Sequence, residues 1–280
     1  MIIIADSGSS KTHWSIIWES KLSPETIYTS GINPYYQDSQ TILKTLELEF
    51  PVKALRPDTI FFYGAGCANI RVNSIVSKAL QEFFGTSSIE VESDLMAAAR
   101  ALCQDNEGIA CILGTGSNSC YYDGKIIKEQ VSPLGFILGD EGSGAVLGKR
   151  LLGDLLKNQL PKEIANIFFD KYKLTKEDIL DHIYKKPFPN RFAAQFTHFI
   201  SDNIDDSFLH GLVYDEFSRF LSRNVLQYQY SSILPVNFTG SIAWHFQEIL
   251  RKAASSLDLT TGQIFQSPMS GLLQFHGSKQ

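Results

Sequence analysis

The sequence predicts an α/β protein made of two related halves. A strand–turn–strand unit opens the chain and recurs at an offset of 108 residues, placing Gly8-Ser9 on Gly116-Ser117. Alternating helix and strand signals follow each copy, the pattern of sheets covered by helices. The 280 residues are 44% hydrophobic and 12% aromatic, enough to fill two full-sized cores and too apolar for a disordered chain.

Ile2–Asp6 is a short apolar run ending in the turn cluster Asp6-Ser7-Gly8-Ser9-Ser10-Lys11. In the next stretch Trp14, Ile16 and Trp18 alternate as on a strand, and residues 22–30 supply a third. Helices are expected over Thr41–Phe50, Asn69–Phe84 and Leu95–Leu102, the last opened by Ser93-Asp94. Buried strands are expected at Thr59–Tyr63 and Ser88–Glu92. The pattern restarts with Ile109–Leu113, the glycine turn Gly114–Asn118 and a strand over Ser119–Tyr122. Residues 145–230 read as mostly helical. Pro235–Phe238 is then a strand, Thr239-Gly240-Ser241 a turn, Ile242–Ser255 one helix, and residues 268–273 a short terminal helix. The boundaries that result are 1–106 for the first domain, with the terminal segment 268–280 packing back on it. The second spans 107–267 and carries the helical insertion.

A net charge of −5 argues against the nucleic-acid backbone as partner. No apolar run approaches the ~20 residues that span a bilayer, and Met1–Ala5 is cut short by Asp6, unlike a signal peptide. Cys67, Cys103, Cys111 and Cys120 form no Cys-x-x-Cys pair, and the six histidines show no metal-binding spacing. Reduced, buried thiols in a cytoplasmic protein are expected.

Asp6–Thr12 invites comparison with a strand–loop–helix phosphate loop. Ser10 stands where that motif needs glycine, and a strand follows where it needs a helix, so the comparison fails. What survives is a hairpin formed by Ser7, Gly8, Ser9, Ser10, Lys11 and Thr12, with Gly8 at positive φ and N–H and hydroxyl groups aimed at phosphate. Asp6 beside it would repel phosphate unless a divalent cation, most simply Mg²⁺ held largely through water, lies between them. An ordinary hairpin turn explains the same residues, as it does Gly114, Thr115 and Gly116. Two such turns in a duplicated frame favour a grip on one triphosphate. The small residues of Thr239, Gly240 and Ser241 admit a purine or ribose.

Among the acids, Asp94 opens a helix and either it or Ser93 serves as cap. Because both can cap, the second acid is superfluous for that purpose and is a candidate base for phosphoryl transfer. Leu134–Gly144 holds four glycines around Asp140 and Glu141. A cap by Asp140 or Ser143 accounts for the acids but not for the glycines, which permit close approach of a ligand. Asn33, held extended by Pro34, offers an amide suited to vicinal hydroxyls, with Tyr35 and Tyr36 beside it.

Asp6-x-Gly8-x-Ser10-Lys11-Thr12, Gly114-Thr115-Gly116-Ser117 and Thr239-Gly240-Ser241 resemble the two phosphate motifs and the adenosine motif of the actin/sugar kinase/heat-shock-chaperone superfamily. Within it the chain is similar to the BadF/BadG-type ATPase family, on the branch of N-acetylglucosamine kinases. The resemblance runs from residue 2 to about 276. It implies two ribonuclease-H-like domains facing a central nucleotide cleft, ATP and Mg²⁺ as cofactors, Asp94 as catalytic base and Asp6 at the metal. It further implies sugar contacts from Asn33, Ser117, Asn118, Leu134, Gly135 and the Asp140 of Gly139-Asp140-Glu141-Gly142-Ser143, with Thr115 on phosphate. Position 10 is serine where the family more often has threonine, and the hydroxyl is kept. The activity implied is phosphorylation of an amino sugar, with the 6-hydroxyl of N-acetylglucosamine as acceptor, and relatives suggest a homodimer. The motifs do not discriminate among N-acetylglucosamine, N-acetylmuramic acid, glucosamine and glucose. Two rival activities remain: an ATPase activator of a radical dehydratase or reductase, which needs cluster-binding cysteines at a spacing not found here, and a sugar-sensing module without a base.

Overall fold

The computed structural model describes residues 1–8, 10–18, 23–52 and 55–277. The chain divides into two compact units, Met1–Gln104 together with the chain from Pro268, and Asp105–Ser267.

In the first unit β1 (Ile2–Ser7), β2 (Lys11–Ile17) and β3 (Glu25–Ser30) form an antiparallel meander. β4 (Thr59–Gly64) and β5 (Ile89–Ser93) add in parallel on the other side of β1, giving the order β3-β2-β1-β4-β5. The period-2 pattern of Trp14 and Ile16 puts both into the core. Trp14 is fully buried among Phe50, Phe62 and Phe84, and its indole N–H donates to Thr29 Oγ1 at 2.9 Å.

Helices α1 (Ser39–Glu49) and α2 (Ile70–Phe84) connect these strands, and α3 (Asp94–Cys103) follows β5. Asp38 and Asn69 cap the first two, and Gly85 ends α2 in the left-handed region at φ 71°.

The second unit repeats the topology. β6 (Glu107–Leu113), β7 (Ser117–Asp123) and β8 (Ile127–Glu129) form the meander. β9 (Val236–Thr239) and β10 (Thr261–Phe265) add in parallel, in the order β10-β9-β6-β7-β8. The duplication read from two glycine turns is therefore a duplication of the whole sheet. Between β8 and β9 lie α4 (Gly135–Leu138), α5 (Gly144–Leu156), α6 (Lys162–Tyr172), α7 (Lys176–Tyr184), α8 (Pro189–Ala194), α9 (Thr197–Asp202) and α10 (Ser207–Arg223).

The single helix expected over Ile242–Ser255 is two, α11 (Ser241–His245) and α12 (Gln247–Ser255). Phe246, with ψ 26°, breaks the run and buries its ring in the core, while the bonds from Phe246 N–H to Ile242 and from Leu250 N–H to Phe246 persist. The final helix α13 (Met269–Gly277) packs on α3 of the first unit, where Gly271 lies so close to Ala101 that a Cβ would stand 2.3 Å from its carbonyl oxygen.

Among the described residues no helix is long and apolar enough to cross a membrane. All four cysteines are buried thiols, and burial pushes those of Cys67 and Cys103 up to about 12.

Candidate functional site

In open α/β sheets, ligands gather beyond the carboxyl ends of parallel strands. In the first unit, Ser7, Gly64 and Ser93 lie in one row across the carboxyl ends of β1, β4 and β5. Asp6 sits one residue below that row and Asp94 one residue above it.

The cap question at Asp94 is resolved by geometry. Ser93 is the N-cap, its hydroxyl accepting from Met96 N–H at 3.1 Å, and Asp94 is the first helical residue. Asp94 keeps some accessible surface while lying deep among protein atoms. Burial pushes its pKa above the ordinary carboxylate value, against the pull of its own N–H and that of Leu95. Asp6 is raised to about 7, first by burial, then by the charge of Asp94, with Lys11 opposing. Two acids thus share a region short of positive charge.

The hairpin after β1 is as expected in kind: β2 follows directly, so this is no strand–loop–helix phosphate site. The expected positive φ at Gly8 is not found. Gly8 N–H instead closes the turn on Lys11 O at 3.0 Å, and a Cβ there would make only an ordinary contact, 3.9 Å from that oxygen. The hydroxyls of Ser7 and Thr12 face each other at 2.7 Å and bond Ile32 O and Ser30 O at 3.0 and 3.1 Å. They brace the hairpin against the chain leading to Asn33. Ser10 and Lys11 are exposed, the Lys11 ammonium lying over the Tyr28 ring. Ser9 lies outside the described residues.

Asn33 Oδ1 accepts from Tyr35 N–H at 3.0 Å, and among the described residues its amide nitrogen makes no hydrogen bond. Its side chain rests on Gly66, at φ 87°, where a Cβ would stand 2.5 Å from Asn33 Oδ1. The Gly64-Ala65-Gly66 segment escaped the sequence reading, although a Gly-x-Gly directly after a strand was a signal for it. Ala65 N–H ties it to Ser7 O at 2.9 Å.

In the second unit the same edge holds the other candidates. Thr239 ends β9 beside Ile112, its hydroxyl buried with no partner among the described residues. Gly240, at φ 116°, lies against Leu113, where a Cβ would stand 2.3 Å from the carbonyl oxygen. Ser241 opens α11. Gly114 faces open space.

The first two N–H groups of α5 donate to this turn, Gly144 to Gly114 O at 2.8 Å and Ala145 to Thr115 O at 3.0 Å. Turn and helix are therefore one piece. Ser143 caps α5 through Val146 N–H, so Asp140 is again an acid without a capping role. Asp140 lies against Gly116 and accepts from Ser117 N–H at 3.4 Å. Burial, then the neighbouring Glu141, raises its pKa to about 6. Asn118 Oδ1 accepts from Ser119 N–H and Gln130. Leu134 and Gly135 are exposed at the start of α4, both with positive φ.

The chain is 48% identical to a crystallised protein of Porphyromonas gingivalis provisionally described as an N-acetylglucosamine kinase. The match covers 99% of each chain with a TM-score of 0.95. The chain belongs to the N-acetylglucosamine kinase-like branch of the BadF/BadG-type ATPase family. It is also 27% identical, over 217 residues, to the N-acetylmuramic acid/N-acetylglucosamine kinase of Clostridium acetobutylicum, a match covering 71% of this chain and 69% of that one. A ROK family glucokinase from Streptomyces griseus, crystallised with glucose and AMPPNP, shares the fold at 12% identity. That match has a TM-score of 0.54 and covers 99% and 98% of the two chains. No family model matches the sequence.

Proposed function

We propose that this protein is an ATP-dependent amino-sugar kinase that transfers the γ-phosphoryl group to the 6-hydroxyl of N-acetylglucosamine, with Asp94 as base. The observation that carries the reading is the pair of spare acids. Asp94 and Asp140 each stand at the carboxyl edge of a duplicated sheet, each beside a serine that already caps the helix. A carboxylate kept out of water without a structural role is costly, and phosphoryl transfer supplies a use for both. The 48% identical relative supports the same reading.

The sugar hydroxyl donates to the Asp94 carboxylate, which takes its proton as the oxygen bonds to the γ-phosphorus and the bond from that phosphorus to the bridging oxygen breaks, releasing ADP. The raised pKa of Asp94 brings its basicity closer to working pH. Asn33 and Asp140 orient the sugar through its other hydroxyls, with Ser117, Asn118, Leu134 and Gly135 lining it. The turns at 8–11, braced from below by the buried Ser7 and Thr12, and at 114–116 take the phosphates, and Thr239–Ser241 takes the adenosine. The buried Thr239 hydroxyl is the donor there, without a partner among the described residues.

The Asp6 region fits a magnesium ion: an acid raised to about 7 beside a second acid lacks the positive charge that would let both ionise. Asp6 would hold the ion, largely through water, and the bound ion would neutralise the charge of the transferring phosphates. ATP as donor and four buried thiols support a cytoplasmic location.

A panel of a dozen hexoses and hexosamines, each with ATP and Mg²⁺, tests this. N-acetylglucosamine should give the largest stimulation of ADP release with a sugar 6-phosphate as product. If no sugar stimulates turnover, the reading is lost.

A further inference from the structure

The acid next to Asp140 has no role in the chemistry above, yet it is the better fixed of the two. The loop Gly139–Ser143 joins α4 to α5, and Asp140 sits in it at φ 57°, a left-handed conformation that is unfavourable for a non-glycine residue. Something must hold it there. On one side Asp140 N–H donates to Pro133 O at 3.0 Å, and Gly139 lies where a Cβ would stand 2.0 Å from the same oxygen. On the other side Gly142, at φ 72°, presses on α10, where a Cβ would be 3.0 Å from that of Phe220.

Between the two glycines, Glu141 turns the opposite way from Asp140. Its buried carboxylate accepts from Arg223 Nε at 2.6 Å, at the last residue of α10. The helix is itself anchored to α5, since Arg150 of α5 reaches the fully buried Glu216 of α10 at 3.0 Å, an acid that Arg219 of the same helix also meets at 3.0 Å. Asp140, by contrast, accepts a single long hydrogen bond among the described residues, the 3.4 Å bond from Ser117 N–H. The direction of the Asp140 side chain is therefore set by the path of the loop, and that path is nailed down one residue later.

We infer that Glu141 and Arg223 are positioning residues: their ion pair fixes the loop that aims Asp140 at the sugar. The inference rests on the reading of Asp140 as a sugar-orienting residue. A charge-assisted bond to a buried carboxylate is typically worth more than a neutral one, and its loss leaves the acid without its partner.

The test compares wild type with Glu141→Gln, Arg223→Ala, Arg223→Lys and the double variant Glu141→Gln/Arg223→Ala. Each is assayed for the KM of N-acetylglucosamine, the KM of ATP, and kcat. Both single variants should raise the sugar KM roughly tenfold, the equivalent of one charge-assisted hydrogen bond, while the ATP KM moves less than about twofold. The double variant should be no worse than either single one, because the pair acts as a unit. Arg223→Lys should recover part of the loss. Sugar and ATP KM rising together, or losses that multiply in the double variant, would overturn the inference.

A wild-type protein that phosphorylates no sugar would defeat the kinase reading instead. The pair is then still tested by following the Asp140 carboxyl by NMR. Removing a cation nearby should raise the Asp140 midpoint by electrostatics alone. If the pair holds the loop, Arg223→Ala instead lets Asp140 reach water, and the midpoint falls from about 6 toward the ordinary carboxylate range. A rise, or no change, overturns the positioning role.

Discussion

Replacing Asp94 by Asn separates catalysis from folding, because the proposed base and the observed helix cap are adjacent residues. The amide keeps the shape of the side chain and removes the base. Loss of a positioned base typically slows transfer ~10²–10⁴-fold, which at about 1.4 kcal/mol per tenfold is roughly 3–5 kcal/mol on the barrier. Folding should hardly respond. The cap of α3 is Ser93, not Asp94, so what is lost is the attraction of one carboxylate for the helix N-terminus, about 0.3–1 kcal/mol. Against that, the substitution removes the like charge that raises Asp6. The two effects oppose, and a net change below about 1 kcal/mol corresponds to a Tm shift of only a few degrees in units of this size. Ser93→Ala should do the reverse, costing about 1 kcal/mol of stability with turnover nearly intact. The assay is coupled ADP release at saturating N-acetylglucosamine, with ATP affinity by calorimetry and Tm by thermal denaturation. Turnover of Asp94→Asn within tenfold of wild type, or a matching loss in Ser93→Ala, would refute the division of labour.

Asp6 carries a pH signature. Unfolded, it releases its proton near the ordinary 3.8; folded, it keeps it to about 7, so stability falls as pH rises from about 4 to 7 and levels off above. Asp6→Asn should remove this slope, so that its Tm advantage over the metal-free wild type grows between pH 5 and 8 while Mg²⁺-dependent turnover is lost. A Tm difference that stays constant with pH contradicts the assignment. Asp140, raised to about 6, should bind sugar hydroxyls best when ionised. Sugar affinity should therefore fall about tenfold per pH unit below that point, and this dependence should vanish in Asp140→Asn; calorimetric titrations at pH 5 and 7.5 decide it.

Much of this was legible in the sequence because each signal was local. The hairpin after Asp6 showed in the alternation of Trp14 and Ile16, and the two-unit duplication in a pair of glycine turns. Misses came where tertiary contacts decide. Gly8 looked like a positive-φ glycine, yet its N–H closes the hairpin on Lys11 without needing that conformation. Phe246 gave no sign of breaking a helix until its ring was seen in the core. Gly66 became informative only when Asn33, from a loop over thirty residues earlier in the chain, was found resting on it.

The ambiguity at the acids was of another kind. Ser93-Asp94 and the Asp140–Ser143 stretch each contain more than one residue able to cap a helix, and propensity cannot say which does so. Hydrogen-bond geometry can, and at both sites it selects the serine. The choice has a chemical consequence. A serine bonded to the helix N–H groups relieves the nearby carboxylate of the capping duty, in surroundings whose burial raises its pKa against the pull of the N–H groups it still meets. An aspartate serving as cap would be held low by those same N–H groups and would be a poor base. The capping serines thus leave Asp94 and Asp140 with no helix to cap, and in the proposed mechanism each carboxylate keeps an oxygen available for a hydroxyl. Serine-to-glycine changes at 93 and 143, which leave most cap positions only a few tenths of a kcal/mol weaker, measure how far that availability depends on them.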